Sequence, residues 1–339
     1  MADRVLVGVV GLGFMGRTHL AAFSRAADCE VVAVADRDRD RLTGKAGEAG
    51  NLVTGEMEKL FDPARVSTCE DALELIDHPD VDLVSITTPT PTHHGLARAV
   101  LASGRHLLLE KPVDLSSSVI RQLAADARSA GVLAMPAHCM RFWPAWSWMK
   151  DRLDREVHGR CLRASFIRSG AVPDWSRDFY LDDSKSGGAI VDLHIHDTDF
   201  ILHCFGTPVA VTSTGNRRYV TTSYEYQGGP EVVAEGGWID EPEVEFRMQA
   251  RFECEAGVMT FDITRDPEVV VELPGAIVEP HPEASEGGTG YDGQVRALLD
   301  AISSGAEVPP VTLDDAAETA RVLEAEIASV SAGGERCTL

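Results

Sequence analysis

Two unbroken apolar runs with a helical pattern between them organise the start of the chain. Residues 5–10 and 31–35 are rich in Val, and an alanine-containing segment separates them. Runs of this kind are typical of strands buried on both faces of a parallel sheet. Similar runs at 81–86, 105–109 and 132–137 predict three more parallel strands joined by helices. This part of the chain therefore predicts an α/β domain.

The pattern changes after residue 208. Strand-like runs, broken by Gly-Gly or Asp-Pro pairs, recur at 209–220, 231–238, 244–254, 258–263 and 269–273. Such spacing is typical of an antiparallel sheet. Helical patterns at 287–303 and 313–331 follow. We therefore expect a second, α+β domain with a large, mostly antiparallel and open-faced sheet.

A glycine turn joins the first strand to the first helix. Gly11 permits the tight turn, Gly13 lets the backbone approach a pyrophosphate, and Gly16 lets the helix pack on the sheet. The N–H groups that open the helix, and its positive dipole end, then point at the phosphates. Strand, turn, helix, strand and acid follow in the order of a Rossmann dinucleotide-binding domain. We assign this domain to residues 1–137 and the α+β domain to 138–339.

The acid that ends the second strand bears on the choice of dinucleotide. Asp36 lies where its carboxylate accepts hydrogen bonds from both hydroxyls of the adenosine ribose. It would repel the 2′-phosphate of NADP, so NAD is favoured. Arg37 and Arg39 follow directly and can pair with that phosphate, which leaves NADP open.

Composition limits the classes of binding partner and the cellular compartment that we expect. The chain has 339 residues and a net charge of −23, which argues against nucleic acid and anionic membranes as partners. Its seven cysteines are scattered without a C-x-x-C pair, as in reduced cytoplasmic proteins. The apolar runs are far shorter than the roughly 20 residues of a membrane span, and the first residues do not fit a signal peptide. We expect a soluble, cytoplasmic protein.

Two turns follow later strands of the parallel sheet, on the side where such sheets bind ligands. The first contains Thr88, Pro89 and His93, and its hydroxyls can equally serve as helix caps. In the second turn, Glu110 and Lys111 leave the sheet together before a proline. Position alone does not make Lys111 catalytic, because a lysine there is commonly just exposed.

The densest chemistry in the second half follows Gly187-Gly188. At 3.6 residues per turn, Asp192, His196, Asp199 and His203 fall on one helical face. Carboxylates flanking an imidazole form an oriented general base. The same set could hold zinc, but no further ligand cluster stands out and Lys111 would repel a cation, so no metal is expected. A helix with a solvated acidic stripe is the plainer interpretation.

In their order along almost the whole chain, these motifs resemble the Gfo/Idh/MocA family of glucose-fructose oxidoreductases and inositol dehydrogenases. The matching pieces are the glycine turn with His19, Thr88-Pro89 with His93, Glu110-Lys111-Pro112, Arg141-Phe142-Trp143-Pro144, and Gly187-Gly188-Ala189 before Asp192 and His196. The resemblance implies that Lys111 touches both nicotinamide and substrate. Similar proteins often have Asn where Cys139 stands, so Arg141 is the better candidate for a cofactor contact, or else it forms a salt bridge.

The resulting hypothesis is hydride transfer between nicotinamide and a secondary alcohol of a sugar, inositol or related polyol. His196 would be the base, Asp192 would orient it, and Lys111 would hydrogen-bond the reacting oxygen. The predicted substrate contacts are Asp199, Arg168, Trp175 and Tyr180. The predicted cofactor contacts are Gly11, Gly13, Phe14, Met15, Gly16, Asp36, Arg37, Thr88, Pro89, His93, Glu110, Lys111 and Arg141.

Two other functions use the same features. A redox-neutral glycoside hydrolase would oxidise a sugar transiently on bound NAD, and a nicotinamide-binding sensor would have no activity. In similar proteins the open sheet face makes the subunit contact, which implies a homodimer or homotetramer.

Overall fold

The computed structural model describes residues 4–45, 60–173, 176–241, 244–275 and 277–339. The chain forms two compact units. The first comprises Met1–His138 and Tyr291–Ala317, and the second comprises Cys139–Gly290 and Glu318–Leu339. Residues 291–317 thus belong to the first unit, whereas the sequence pattern placed everything from residue 138 onward in the second domain.

The first unit is built on a six-stranded parallel sheet with the order β3-β2-β1-β4-β5-β6. Its strands are β1 (Val5–Val10), β2 (Cys29–Ala35), β3 (Ser67–Cys69), β4 (Leu83–Ile86), β5 (His106–Leu109) and β6 (Ala134–Pro136). The connecting helices are α1 (Phe14–Arg25), α2 (Ala72–Ile76), α3 (His93–Ala102) and α4 (Ser117–Ala130). The predicted Rossmann domain is confirmed.

The strand order places the candidate residues. Along the chain the sheet grows outward from β1, first through β2 to β3 and then, on the other side, through β4 to β6. Ligands of such sheets bind beyond the carboxyl ends of the strands, at the point where the order reverses. The turns after β1, β2, β4 and β5 all lie at that edge.

The second unit is built on a nine-stranded sheet with the order β14-β13-β12-β11-β7-β10-β9-β8-β15. Its strands are β7 (Cys161–Ala171), β8 (Ala210–Gly215), β9 (Tyr219–Glu225), β10 (Glu231–Ile239), β11 (Arg247–Cys254), β12 (Gly257–Asp262), β13 (Val269–Leu273), β14 (Ile277–Pro280) and β15 (Cys337–Thr338). Strands β7 and β10 pair in parallel, and the other neighbours whose register is described pair antiparallel. The predicted α+β domain with a mostly antiparallel sheet is confirmed.

The remaining helices are α5 (Pro144–Asp154), α6 (Arg177–Tyr180), α7 (Asp183–Ser186), α8 (Ala189–Asp192), α9 (Ile195–Phe205), α10 (Gly290–Ser303) and α11 (Leu313–Ser331). Residues of β11 alternate between buried and partly exposed, so the sheet has a covered and an open face. The core of the covered face centres on Trp146 of α5. Its ring packs on Phe166, Phe200 and Phe261 with centroid distances of 6.0, 4.7 and 5.6 Å.

Two local expectations were wrong. The run 209–220, expected as one strand, is a hairpin, because the Asn216 side chain accepts hydrogen bonds from the N–H groups of Arg218 and Tyr219 and turns the chain. The polar, charged pattern of residues 37–50 predicts a helix, but the described residues there form a short 3₁₀ turn at Arg39–Thr43, which Gly44 ends at φ +75°. Residues 46–50 of that expected helix lie outside the described residues. Among the described residues, no helix has the length and apolar character needed to cross a membrane.

Candidate active site

The glycine turn after β1 has the shape that a pyrophosphate requires. A Cβ on Gly16 would lie 1.8 Å from the carbonyl oxygen of Gly11, so the close approach of helix to turn needs glycine. A Cβ on Gly13 would meet only the Arg41 guanidinium, at 3.9 Å. Gly13 caps α1 without a side chain, and Phe14 and Met15 form its first turn. Open space beside an uncapped helix start fits the phosphates of a dinucleotide.

Asp36 lies against this turn. One carboxylate oxygen accepts a hydrogen bond from the Leu12 N–H at 2.6 Å, and the other accepts one from the Asp38 N–H at 2.8 Å. The Arg41 guanidinium lies 3.4 Å from the same carboxylate. The Asp36 carboxylate is therefore held in one orientation. Its charge is partly neutralised by Arg41, which is not part of the sequence motif.

A cavity of about 610 Å³ lies on this side of the sheet. It is lined by Arg37, Leu42, Thr68, Glu70, Asp71 and Glu74. Arg37 thus lines a cavity near Asp36, as a cofactor contact would, whereas Arg39 pairs with Glu70 at 2.7 Å.

The turn after β4 is tied to its neighbours by backbone contacts. Thr87, absent from the predicted site, donates from its hydroxyl to the Gly11 carbonyl at 2.6 Å and so joins the glycine turn to β4. The Thr88 and Thr92 hydroxyls bond each other at 2.7 Å and do not cap α3. Pro89 precedes the 3₁₀ turn Thr90–Thr92.

His93 connects the turns after β4 and β5. Its ring nitrogens lie 2.7 Å from the Thr88 carbonyl and 2.9 Å from the Pro112 carbonyl, and the residue is buried. Burial lowers the pKa of the imidazole, and the bonds to the two carbonyls oppose that shift. Both ring nitrogens are thus used within the protein, and the cofactor contact of His93 stays a prediction.

Glu110 also points inward. Its carboxylate lies 3.0 Å from Nε2 of His19, whose other nitrogen bonds the Ser85 hydroxyl at 2.8 Å. Gln294 of α10 approaches the same Nε2 at 3.3 Å. Burial raises the pKa of Glu110, but the hydrogen bond and charge of His19, with Lys111 and His93, outweigh it, so the pKa lies below its usual value. Glu110 thus supports the turn from inside, and its cofactor contact stays a prediction.

Lys111 follows this buried carboxylate directly and is itself half-buried at the carboxyl end of β5. Its backbone N–H donates to the other oxygen of Glu110 at 3.1 Å. The sequence pattern did not predict this hydrogen-bonded group, because its four residues come from four separate segments. His19, Ser85, Glu110 and Gln294 are polar side chains at positions otherwise surrounded by apolar residues, which is the one signal that the sequence offers for it.

In the second unit, the expected continuous helix carrying Asp192 and His196 is broken. The His194 N–H donates to the carbonyl of Ala189, five residues back, so the α-helical hydrogen-bond pattern is interrupted between α8 and α9 although the backbone stays right-handed. Asp192 ends α8 with only 8% of its surface exposed, and His196 lies half-buried in the first turn of α9. The prediction that these acids and histidines form an uninterrupted stripe along one helix is therefore wrong.

Two ion pairs hold α9. Asp197 accepts two hydrogen bonds from Arg168 at 2.9 and 3.0 Å, and Asp199 accepts two from Arg141 at 2.7 and 2.9 Å. All four side chains are at most 9% exposed. Arg141 thus forms the salt bridge that was its alternative interpretation, while its cofactor contact and the substrate contacts of Arg168 and Asp199 stay predictions.

A buried polar cluster lies at the start of α9. His194 and Glu326 of α11 are 3.2 Å apart and fully buried, and the Tyr224 hydroxyl donates to Glu326 at 2.9 Å. Thr198 donates to the same carboxylate at 3.2 Å. Burial lowers the pKa of His194, but the charge and hydrogen bond of Glu326 outweigh it and leave the pKa raised.

The aromatic segment before α8 contributes one described candidate. Tyr180 packs edge-on against Trp238 with a centroid distance of 5.9 Å, in a cluster with Ala189 and Leu193. The ring therefore supports the short helix that ends at Asp192. Trp175 lies outside the described residues. Across the described ranges, His, Cys, Asp and Glu side chains form no group of three or more that could hold a metal ion.

Comparisons with known proteins agree with this architecture. Residues 5–138 match a family described as an oxidoreductase family with an NAD-binding Rossmann fold, and residues 146–265 match the GFO/IDH/MocA C-terminal domain. A solved levoglucosan dehydrogenase in complex with NADH and levoglucosan shares the fold, with a TM-score of 0.81, 19% identity and 99% of both chains covered.

Two curated relatives show the range of enzymes to which the chain is similar. Trans-1,2-dihydrobenzene-1,2-diol dehydrogenase of Sus scrofa is 30% identical over 236 residues, 66% of this chain and 64% of its own. D-xylose 1-dehydrogenase (NADP(+)) 2 of Haloferax volcanii is 25% identical over 341 residues, 97% of this chain and 98% of its own. For the first relatives the match spans only 52 to 64% of their own length. With both domain models matched in order, the chain belongs to the Gfo/Idh/MocA oxidoreductase family.

Proposed function

We propose that the protein is an NAD(P)-dependent dehydrogenase that transfers a hydride between nicotinamide and a secondary alcohol of a sugar, inositol or related polyol. The observation that carries this proposal is the order of turns along the parallel sheet. Asp36 follows β2, the glycine turn follows β1, and Lys111 follows β5, with β4 between them. An extended dinucleotide with its adenosine end at Asp36 would therefore bring its nicotinamide end toward Lys111.

Each of the three proposed catalytic residues would have a separate role in hydride transfer. Bound nicotinamide accepts or returns the hydride. Lys111 would donate a hydrogen bond to the reacting oxygen and stabilise its developing negative charge. His196 would hold the proton of the substrate hydroxyl as the general base, and Asp192 would orient its ring. These roles remain proposals for Lys111, Asp192 and His196 individually.

The substrate class is inferred from the family and its members. Of the two relatives described above, one is named for a diol and the other for a sugar, and the latter is named for NADP. The family model is named for NAD. Asp36 favours NAD, while Arg37 in the neighbouring cavity and Arg41 beside the acid are cations suited to a 2′-phosphate. We therefore propose NAD as the principal cofactor, with measurable use of NADP.

The test is nicotinamide absorbance on mixing the protein with NAD, and separately with NADP, across inositols, pentoses, hexoses, uronic acids and vicinal diols. Reduction of the cofactor by one compound class would support the proposal. Lys111→Ala should abolish that signal, and Arg98→Ala, which removes an exposed cation of α3, should not. Cofactor binding without reduction by any compound, together with cleavage of a glycoside, would replace the proposal with redox-neutral hydrolysis.

The open face of the second sheet is the proposed subunit contact. Its described side chains include ion-paired residues such as Arg163 with Glu231, at 2.8 Å, and Arg251 with Glu253, at 3.2 Å. A contact through such a face would be polar and would weaken in salt. Light scattering during gel filtration at low and high salt would measure whether the protein is a dimer or tetramer. A monomer at both salt concentrations would contradict the proposal.

A further inference from the structure

Two cysteines face each other across neighbouring strands of the second unit. Cys161 begins β7 and Cys254 ends β11, and they are paired directly in the antiparallel ladder between these strands. The Cys161 thiol donates a hydrogen bond to the Arg163 carbonyl at 3.3 Å. Both residues are partly accessible. None of the proposed catalytic chemistry uses them.

The pairing brings the two residues within reach of a disulfide. Opposed residues of antiparallel strands have Cα atoms about 4.5 to 5.5 Å apart. A disulfide spans Cα separations of about 4.4 to 6.8 Å. The register shifts at this point and leaves Leu162 without a partner residue, so the ladder is locally irregular where the sulfur atoms must approach.

The two thiols are not equivalent. The interaction with the Cys161 thiol lowers the pKa of Cys254, and partial burial opposes that shift. The same interaction, followed by burial, raises the pKa of Cys161. Cys254 is therefore the better nucleophile, because the thiolate is the reactive form.

We propose that Cys161 and Cys254 form a site of thiol–disulfide exchange that reacts with small-molecule disulfides such as oxidised glutathione. The Cys254 thiolate attacks one sulfur atom of the glutathione disulfide, forms a mixed disulfide and releases one glutathione, which takes up the proton. Cys161 then loses its proton and attacks the Cys254 sulfur, which forms the protein disulfide and releases the second glutathione. The two protein thiols lose two electrons, and glutathione disulfide gains them.

Cys204, in the last turn of α9, is the competing partner. The next residue, Phe205, packs against Phe252 of β11 with a centroid distance of 6.4 Å, which brings the last turn of α9 against the strand that carries Cys254. Burial raises the pKa of Cys204 well above its usual value, which keeps it a thiol. Ladder pairing therefore favours Cys161 with Cys254 over any link to Cys204.

Intact-mass spectrometry of the full chain before and after incubation with oxidised glutathione tests the proposal, followed by peptide mapping without reductant. We expect a loss of two hydrogen atoms and one cross-linked peptide containing Cys161 and Cys254. Cys161→Ser should instead retain a glutathione adduct on Cys254, because the second step is lost. Cys204→Ser and Cys337→Ser are matched controls that should still form the link.

Three results would overturn the proposal. They are a wild-type protein that keeps both thiols free, one that carries separate glutathione adducts on them, and a link from either cysteine to Cys204. The wild-type measurement needs no variant to fold, and Cys254→Ser repeats the test if Cys161→Ser does not. Because no enzymatic turnover is measured, failure here leaves the proposed dehydrogenase untouched, and failure of the dehydrogenase leaves this site untouched.

Discussion

Each unit contains a buried histidine–glutamate pair beside a proposed catalytic residue, and the two pairs do different work. In the first unit, Glu110 directly precedes Lys111, and its contact with His19 at 3.0 Å fixes a turn. In the second unit, His194 lies two residues before His196, and its contact with Glu326 at 3.2 Å fixes the start of a helix.

The difference lies in how much further support each residue needs. A turn at the end of a buried strand is already placed by the sheet, so one buried pair suffices to hold the backbone beside Lys111. Helix α9 is not part of a sheet, and two more ion pairs, from Asp197 and Asp199, tie it to β7 and to the segment after residue 138. Chemistry placed on a helix therefore depends on more long-range contacts than chemistry placed on a strand-end turn.

The largest expected effect is the loss of the base on α9. His196→Asn should lower kcat by about 10²- to 10⁴-fold, because general-base catalysis contributes that much. Binding of the cofactor should not change. The matched control is His203→Asn on the same helix: burial, with the charges of Arg141 and Lys150, lowers the pKa of His203 to about 4, so that ring is neutral at pH 7. Stopped-flow absorbance at saturating substrate measures the hydride step, and near-normal rates in His196→Asn would remove it as the base.

Next in size is the loss of one partner of an α9 ion pair. Arg168→Met should cost about 3 to 5 kcal/mol of unfolding free energy, because it leaves Asp197 charged and buried. Arg163→Met, five residues earlier on β7 and on its opposite face, removes an exposed pair with Glu231 and should cost about 1 kcal/mol or less. Urea denaturation of both variants checks this contrast. Equal costs would mean that α9 does not depend on its buried ion pair.

How much of each site the sequence predicts also depends on whether the site is a strand-end turn or a helix held by long-range contacts. The glycine turn and Asp36 are contiguous motifs at strand ends, so strand pattern and spacing located them, whereas Lys111 was singled out by the resemblance of Glu110-Lys111-Pro112 to the family motif. The partners of Asp197 and Asp199 could not be predicted, since Arg168 and Arg141 approach them only in the folded sheet. The helix break at His194 was also missed, because the apolar and polar spacing of 192–203 fits an unbroken helix. Spacing along a chain gives the face of a helix but not its interruptions.

The two buried pairs should respond to pH with opposite sign. Glu110 has a folded pKa below its usual 4.5, so its stabilisation is present above about pH 4.5 and is lost as the pH falls through the folded value. His194 has a folded pKa above its usual 6.5, so its stabilisation is complete below about pH 6.5 and is lost as the pH rises through the folded value.

The difference in unfolding free energy between wild type and Glu110→Gln should therefore shrink toward acid pH. The difference between wild type and His194→Gln should shrink toward alkaline pH. Chemical denaturation of both variants at a series of pH values measures the two trends. Trends of the same sign would show that the two pairs are not held in the ionisation states inferred from their contacts.

The smallest expected effect concerns the acid of the first unit. Asp36→Ser removes the carboxylate that faces Arg41 and repels a 2′-phosphate, so NAD should bind about tenfold more weakly and NADP more tightly, about 1.4 kcal/mol for each tenfold change. Asp38→Ser is the matched control, because Asp38 also lies near Arg41, at 3.5 Å, but does not bond the glycine turn. Titration of nicotinamide fluorescence gives both dissociation constants without a substrate. If Asp36→Ser leaves the ratio of the two constants unchanged, the dinucleotide is selected elsewhere, and even this well-placed turn would then depend on residues that its motif does not name.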